Sequence, residues 1–466
     1  MAIERGLLAV GSRFPSIRTL QARHDISPST AIQVCRRLES EGYLEARARS
    51  GNFVRKPKLK IYSALTEPKA NTPLDPAQFV GINSQITELI AKGRQAPVSV
   101  NLSRADCAPA LYPGKELQGI MARVVRTKPN ILISMPPNSG NSELRENLSK
   151  RAIANGIVVE PENIVVTQGC IEALNLALRA VTQSGGIVAI ESPTYYGLLQ
   201  ILESLGLKAL EIPTSPRTGI SLEALEHALK SIEPISAVVV IPNLQNPLGS
   251  SMPEENKFKL VELCEKFNVP LIEDDTYSML ENYGVAPRAL KSWDKSGNVI
   301  HCASLHKVIA PGLRLGWITA GKWHKRVEML KYVQSQNNED LPQQVASKFI
   351  ESSDFERYLK RLRQTLSNQR AEVAACILNH FPEGTKVNEP NGGLFLWVEL
   401  PNSIDSRELF EACLAEKILI APGTMFANSN HFKNFLRMNC GWPFNPEIER
   451  AIKRIGDICK QMELAN

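Results

Sequence analysis

Residues 302–318 read CASLHKVIAPGLRLGWI, a run in which Ser304 stands three residues before Lys307 and Arg314 seven after it. An SxxK pair alone says little, because serine and lysine meet at this spacing by chance and a lysine is far more often solvated than reactive. Its neighbours change that reading. LIEDDTYSML (271–280) would put Asp274, with Tyr277 three residues on, at a strand's carboxyl end, where open α/β sheets bind ligands; the plain alternative is a turn cap. In IPNLQNPLGSSM (241–252), Asn246 closes a strand before Pro247 and Gly249, a site that also fits a simple turn. TQGCIEAL (167–174) puts Gly169, Cys170 and Ile171 where a strand becomes a helix, so their amides form a positive terminus suited to phosphate.

Outward from these motifs, apolar β-rich runs alternate with helical ones: NIVVT, IEALNLALRAV, GIVAIES, YYGLLQILESLG, LKALEI, LEALEHALKSI, ISAVVVIP. Such alternation predicts a parallel sheet covered by helices. No GxGxxG follows any of these strands, so a dinucleotide loses its main support and another phosphate-bearing ligand is called for.

At 466 residues the chain is long for one core, and 43% hydrophobic with 22% charged residues is ordinary for soluble globular proteins. No apolar run reaches the ~18 residues of a membrane helix, and the first residues break at Gly and Pro before a signal-peptide pattern develops, so a cytoplasmic location is expected. The 9 cysteines form no CxxC pair and have no histidine at ligand spacing, which argues against disulfides and zinc.

The net charge of +6 is unevenly placed: residues 1–60 hold 12 Lys and Arg against 5 Asp and Glu, a surplus of 7, so the remainder carries −1. A basic head on a near-neutral body suggests a polyanion-binding module, although a solubilising face would have the same composition. Within the head, Ser16 caps a short helix with Ile17, Leu20 and Arg23 on one side. Ser27 with Pro28 starts a second helix, on which Ala31, Val34, Cys35 and Leu38 recur until Gly42. Two helices and a tight turn predict helix-turn-helix; YLEA and NFVR around RARSG add a basic β-hairpin, a wing. Ser29 and Thr30 sit near the second helix's positive terminus, and Arg18, Arg36, Arg37, Arg47 and Arg49 add charge.

The head resembles the winged helix of the GntR family over residues 6–54, which implies that Arg18, Ser29, Thr30 and Gly51 approach double-stranded DNA. Pro28 stands where that family commonly has an arginine, so base preference is not legible. Only AIERGLL represents the family's first helix, implying a truncated helix: either the start codon is misplaced or the domain is weakened. Residues 57–97 carry Pro57, Pro68, Pro73, Pro76 and Pro97 with one helical stretch, QFVGINSQITELIAKG, and are expected to be a linker that tethers a domain of 1–56 to a body of 98–466.

With ESPTYYG, PNGGLFLW and FLRMNC added, the body resembles fold-type I aminotransferases, and head plus body resemble the MocR-type regulators. The resemblance implies an α/β architecture: a large mixed, mostly parallel sheet (about 130–335) and a small C-terminal α+β part (about 336–466). It implies pyridoxal 5′-phosphate (PLP) joined to Lys307, Asp274 facing the pyridine nitrogen, and Tyr277 and Asn246 on the phenolic oxygen. Ser304, Arg314 and the amides of Gly169, Cys170 and Ile171 would hold the phosphate, and Tyr195 would stack on the ring. Arg437, helped by Asn391, would bind a carboxylate. A carboxylate beside the ring nitrogen keeps it protonated and the ring electron-withdrawing. Where aminotransferases supply a phosphate-binding tyrosine from the partner subunit, this chain has SMPPNSGNSELR with Met135, leaving that contact in doubt.

Three functions follow as expectations: a homodimeric transcription regulator sensing PLP or a small amine, an active aminotransferase of α-amino acids, or a DNA-binding protein that uses the body only to dimerise.

Overall fold

The computed structural model describes residues 8, 11–40, 43–47, 51–54, 62–68, 74–81, 83–231, 234–282, 286–388, 390–429 and 431–465. The remnant of a leading helix (2–7), Gly42 and the wing tip with Arg49 lie outside the described residues, as do the side chains of Arg36 and Arg47. Two compact units form, Met1–Ile61 and Tyr62–Asn466.

In the first unit, the Ser16 hydroxyl caps α1 (Ile17–His24) by accepting from the Thr19 amide at 3.2 Å. Ser27 caps α2 (Pro28–Ser40) through the Thr30 amide at 3.1 Å, and Pro28 occupies the first turn, where a missing N–H costs nothing. Leu20, Ala31 and Cys35 bury against Phe14 and Ile26. Val34, expected on the same face, is 39% exposed, because the buried stripe runs from Ala31 to Cys35 and leaves Val34 at its side. Strands β1 (Leu44–Arg47) and β2 (Gly51–Val54) pair antiparallel with Leu44 opposite Val54, both buried. Gly51 has φ +93°, a conformation side chains resist.

The second unit is built on one large sheet. Its strands are β3 (Gln78–Phe79), β4 (Val165–Thr167), β5 (Ile187–Ser192), β6 (Lys208–Ser215), β7 (Ile235–Val240), β8 (Leu271–Asp275), β9 (Val299–Ser304) and β10 (Gly316–Thr319). They lie in the order β3-β6-β5-β7-β8-β9-β10-β4, and the short strand Gly219–Ile220 pairs with β6. From β6 to β9 all pairings are parallel, while β10 runs antiparallel to both β9 and β4. Every residue of β5, β8 and β9 is buried, as strands covered on both faces require. The parallel direction brings the carboxyl ends of β5, β8 and β9 to one edge, with Asp274 registered against Cys302.

A second, antiparallel sheet contains β11 (Phe395–Glu399) and β12 (Phe435–Asn439), flanked by Lys386–Val387 and Ala421–Pro422. Here Trp397 lies opposite Arg437.

The expected linker is corrected from Tyr62 onward. Leu65, Val80, Ile86 and Leu89 are buried in the main core, β3 pairs with the sheet edge β6, and Glu399 accepts from the Thr66 amide at 2.8 Å. The helix read in QFVGINSQITELIAKG forms as α3 (Asn83–Gln95), fastened by Lys92 to Glu411 at 2.5 Å. Prolines prevent a long periodic pattern, yet isolated apolar residues are enough to dock a strap against a preformed core.

Candidate cofactor site

One cavity is lined by Gly169, Cys170, Ile171, Tyr195, Asn246, Asp274, Tyr277, Ser304, Lys307 and Arg314, ten residues from five separate runs of sequence. Most sit at a strand end or in the turn beyond it, and Cys170 and Ile171 open a helix. Lys307 follows β9 in the turn that Ser304 begins, where the Ser304 hydroxyl accepts from the His306 amide at 3.1 Å. Burial, opposed by the charge of Asp106 and reinforced by Arg437 and Arg314, lowers the Lys307 ammonium to about 8. The same burial, with Lys307 and Arg314 adding to it, takes His306 down to about 4. The amine of Lys307 is therefore available as a nucleophile near neutral pH.

Gly169, at φ +83°, precedes α4 (Cys170–Val181), so the first amides of this helix open toward the cavity. Arg314 also adopts a positive φ, and its Nη2 donates to the Gln168 carbonyl at 3.4 Å. The Gln168 amide in turn donates to Glu172 at 2.6 Å, tying the turn to the helix it starts. A helix terminus, an arginine and Ser304 together suit a phosphate.

Asp274, near the carboxyl end of β8, has its Oδ1 held by the Thr276 amide at 3.1 Å and the Thr276 hydroxyl at 2.6 Å. Burial raises the Asp274 carboxyl, and these donors oppose the rise. The Tyr277 ring packs edge-on against Phe395 at 5.6 Å, and burial pushes its phenol well upward. Tyr195, half-buried, is tilted against Tyr196 at 5.1 Å. The donor set fits PLP: cationic and amide groups for a phosphate, a carboxylate for a ring nitrogen, and an amine with a depressed pKa for an aldehyde.

Arg437, fully buried on β12, donates from Nη1 to Asn246 Oδ1 at 2.9 Å and from Nη2 to the Ser103 carbonyl at 2.7 Å. Its guanidinium lies over Phe395 at 4.3 Å and Phe426 at 5.0 Å, while Nε has no hydrogen-bond partner among the described residues. Neither Arg437 nor Asn391, expected to act with it, is among the residues that line the cavity. The Asn391 amide oxygen accepts from the Ser251 amide at 3.2 Å, and its backbone bonds Gly249 and Asn282, so it fastens a turn. Asn246 occupies the position beside Arg437 instead. Thr276, Gln168, His306 and Ala105 also line the cavity and escaped the motif reading, although Thr276 stands inside DDTY. Met135 is 81% exposed next to exposed Leu132 and Ile133.

In the first unit, Arg18, Ser29, Thr30 and Gly51 are all exposed. The hydroxyls of Ser29 and Thr30 pair with Ser27 at 2.7 and 2.8 Å, beside the amino terminus of α2.

Fold and cavity together define a body of the fold-type I aminotransferase class. The family model for aminotransferase class I and II matches residues 114–455, and that for bacterial regulatory proteins of the gntR family matches residues 1–54. The HTH-type transcriptional regulator YdcR of Escherichia coli K12 is 36% identical over 98% of this chain and 97% of its own, and YjiR of the same organism is 35% identical over 98% and 96%. Among solved structures, kynurenine aminotransferase from Pyrococcus horikoshii, in complex with PMP, superposes with a TM-score of 0.75 at 27% identity, covering 81% of this chain and 94% of that one. The chain belongs to the MocR-type branch of the aminotransferase class I and II family, in which a GntR head precedes the aminotransferase body.

Proposed function

We propose that this protein is a PLP-binding transcription regulator of the cytoplasm, in which the body holds the cofactor at Lys307 and senses PLP or an amino compound, and the head binds double-stranded DNA. The observation that carries the proposal is the presence, in one chain, of a winged helix and a cavity whose donor set fits the cofactor at every end. Two binding sites in one chain are the minimum for linkage between ligand and DNA. When bound, PLP supplies an electrophilic carbon and an electron-withdrawing ring. The chain's own residues position it: Arg314, Ser304 and the helix amides grip the phosphate, Asp274 keeps the ring nitrogen protonated, Tyr277 and Asn246 hold the phenolic oxygen, and Tyr195 covers a face. Arg18, Ser29, Thr30 and Gly51 contact the DNA, and a homodimer presents two heads to paired half-sites.

The test is DNA affinity with and without PLP and a panel of primary amines and amino acids, across a salt series. Affinity that shifts at least severalfold with one ligand supports the reading, whereas indifference to all of them ends it. A second reading, transamination of an α-amino acid, is favoured by Arg437, whose buried guanidinium keeps Nε without a partner among the described residues. Conversion of the bound cofactor to its amine form by amino acids tests it.

A further inference from the structure

The carboxylate of Asp274 is held asymmetrically. Oδ1 accepts from the Thr276 amide at 3.1 Å, from the Thr276 hydroxyl at 2.6 Å and from the Cys170 thiol at 3.2 Å. Oδ2 accepts no hydrogen bond among the described residues, yet the carboxylate lines the cavity. Three donors leave Oδ1 without room for another strong partner, so a ring nitrogen must meet Oδ2.

Cys170 is suited to this task in two ways. Burial pushes its thiol well above the usual range, with Asp274 and Cys302 adding to the rise, so the sulfur keeps its hydrogen and acts as donor. It is also the first residue of α4, whose amides face the phosphate end of the cavity. We propose that Cys170 is a positioning residue for the cofactor: its thiol, with Thr276, fixes Asp274 so that Oδ2 faces the ring nitrogen, while its backbone amide serves the phosphate. One residue then sets the distance between the two ends of the bound ring.

This inference rests on the PLP reading. The experiment compares wild type, Cys170→Ala and Cys170→Ser for equilibrium binding of PLP and of its 1-deaza analogue, in which CH replaces the ring nitrogen. Borohydride trapping of wild-type protein with PLP reports on the PLP reading independently: absence of a trapped adduct sinks that reading, whatever the variants do. If the thiol works through Asp274, Cys170→Ala weakens PLP about five- to tenfold, the size of one ordinary hydrogen bond, as suits a weak thiol donor, and leaves the analogue within about twofold. Serine, which keeps a donor, restores PLP binding to within about twofold of wild type. Equal losses for the two ligands in Cys170→Ala, or a serine variant no better than alanine, would overturn the proposal, because a packing role takes no notice of the ring nitrogen. Thermal unfolding of the cofactor-free variants checks that all three chains fold alike.

Discussion

Arg437 donates from Nη1 to Asn246 Oδ1 at 2.9 Å, linking a residue of the small antiparallel sheet to the turn after β7. The group proposed for a ligand carboxylate and the group proposed for the cofactor's phenolic oxygen are thus in direct contact. Whatever reorients the guanidinium is felt by Asn246.

Replacing Arg437 by Lys removes the planar fork that reaches both Asn246 and the Ser103 carbonyl. Affinity for an α-amino acid is expected to fall by about 1.5–3 kcal/mol, the worth of hydrogen bonds to a charged group. The decarboxylated amine should bind both proteins alike. Spectral titration of the bound cofactor with the two ligands distinguishes them, and equal losses would remove the carboxylate from Arg437.

The depressed pKa of Lys307 has a kinetic signature. Only the neutral amine attacks an aldehyde, so the rate of covalent PLP attachment should rise with pH through about 8 and then level off, instead of climbing toward the 10.5 of a free lysine. Asp106 favours the ammonium form, so Asp106→Asn should move the midpoint to lower pH. Stopped-flow absorbance between pH 6.5 and 9.5 measures both.

Burial raises the Glu191 carboxyl to about 8, although the Ile241 amide donates to it at 2.8 Å. Its unfolded value is the ordinary 4.5, so between pH 4.5 and 8 the unfolded chain has lost a proton that the folded chain keeps. Stability therefore falls as pH rises through that window. Glu191→Gln keeps an acceptor for Ile241 and removes the titration. Its Tm should match wild type near pH 4.5 and exceed it progressively toward pH 8, by on the order of a few kcal/mol in unfolding free energy. Parallel thermal melts across that range would show no divergence if Glu191 were ionised in the fold.

Gly316 leaves no room for a side chain: a Cβ there would lie 2.6 Å from the Gly169 carbonyl carbon and 2.7 Å from the Ala303 oxygen. Both obstacles are backbone, and one belongs to the turn proposed to face the phosphate. Gly316→Ala should push that turn aside and weaken PLP at least tenfold, about 1.4 kcal/mol by the affinity relation, with DNA binding by the cofactor-free protein unchanged. Cofactor retention on gel filtration and DNA binding by fluorescence anisotropy report the two halves separately.

Short-range patterns made much of this legible. In DDTY and SLHK, residues of one function lie within a few positions of each other, so strand ends and turns carry Asp274, Tyr277, Ser304 and Lys307 into the cavity wherever the sheet places them. Ser16 and Ser27 announced their caps because a cap is a local bond. Residues 62–97 did not declare themselves, since Leu65, Val80, Ile86 and Leu89 find their partners only across the folded body. Asn391 looked like a ligand-binding residue by its motif, yet its amide serves the backbone of Ser251.

Residue order along the chain was enough to expect Lys307, Asp274 and the Gly169 turn around one cavity, because parallel strands deliver their carboxyl ends to one edge whatever lies between them. Which oxygen of Asp274 stays free, and that Arg437 leans on Asn246 instead of Asn391, depended on contacts spanning 104 and 191 residues. Such contacts have no period or spacing in the sequence; they exist only once the chain has folded.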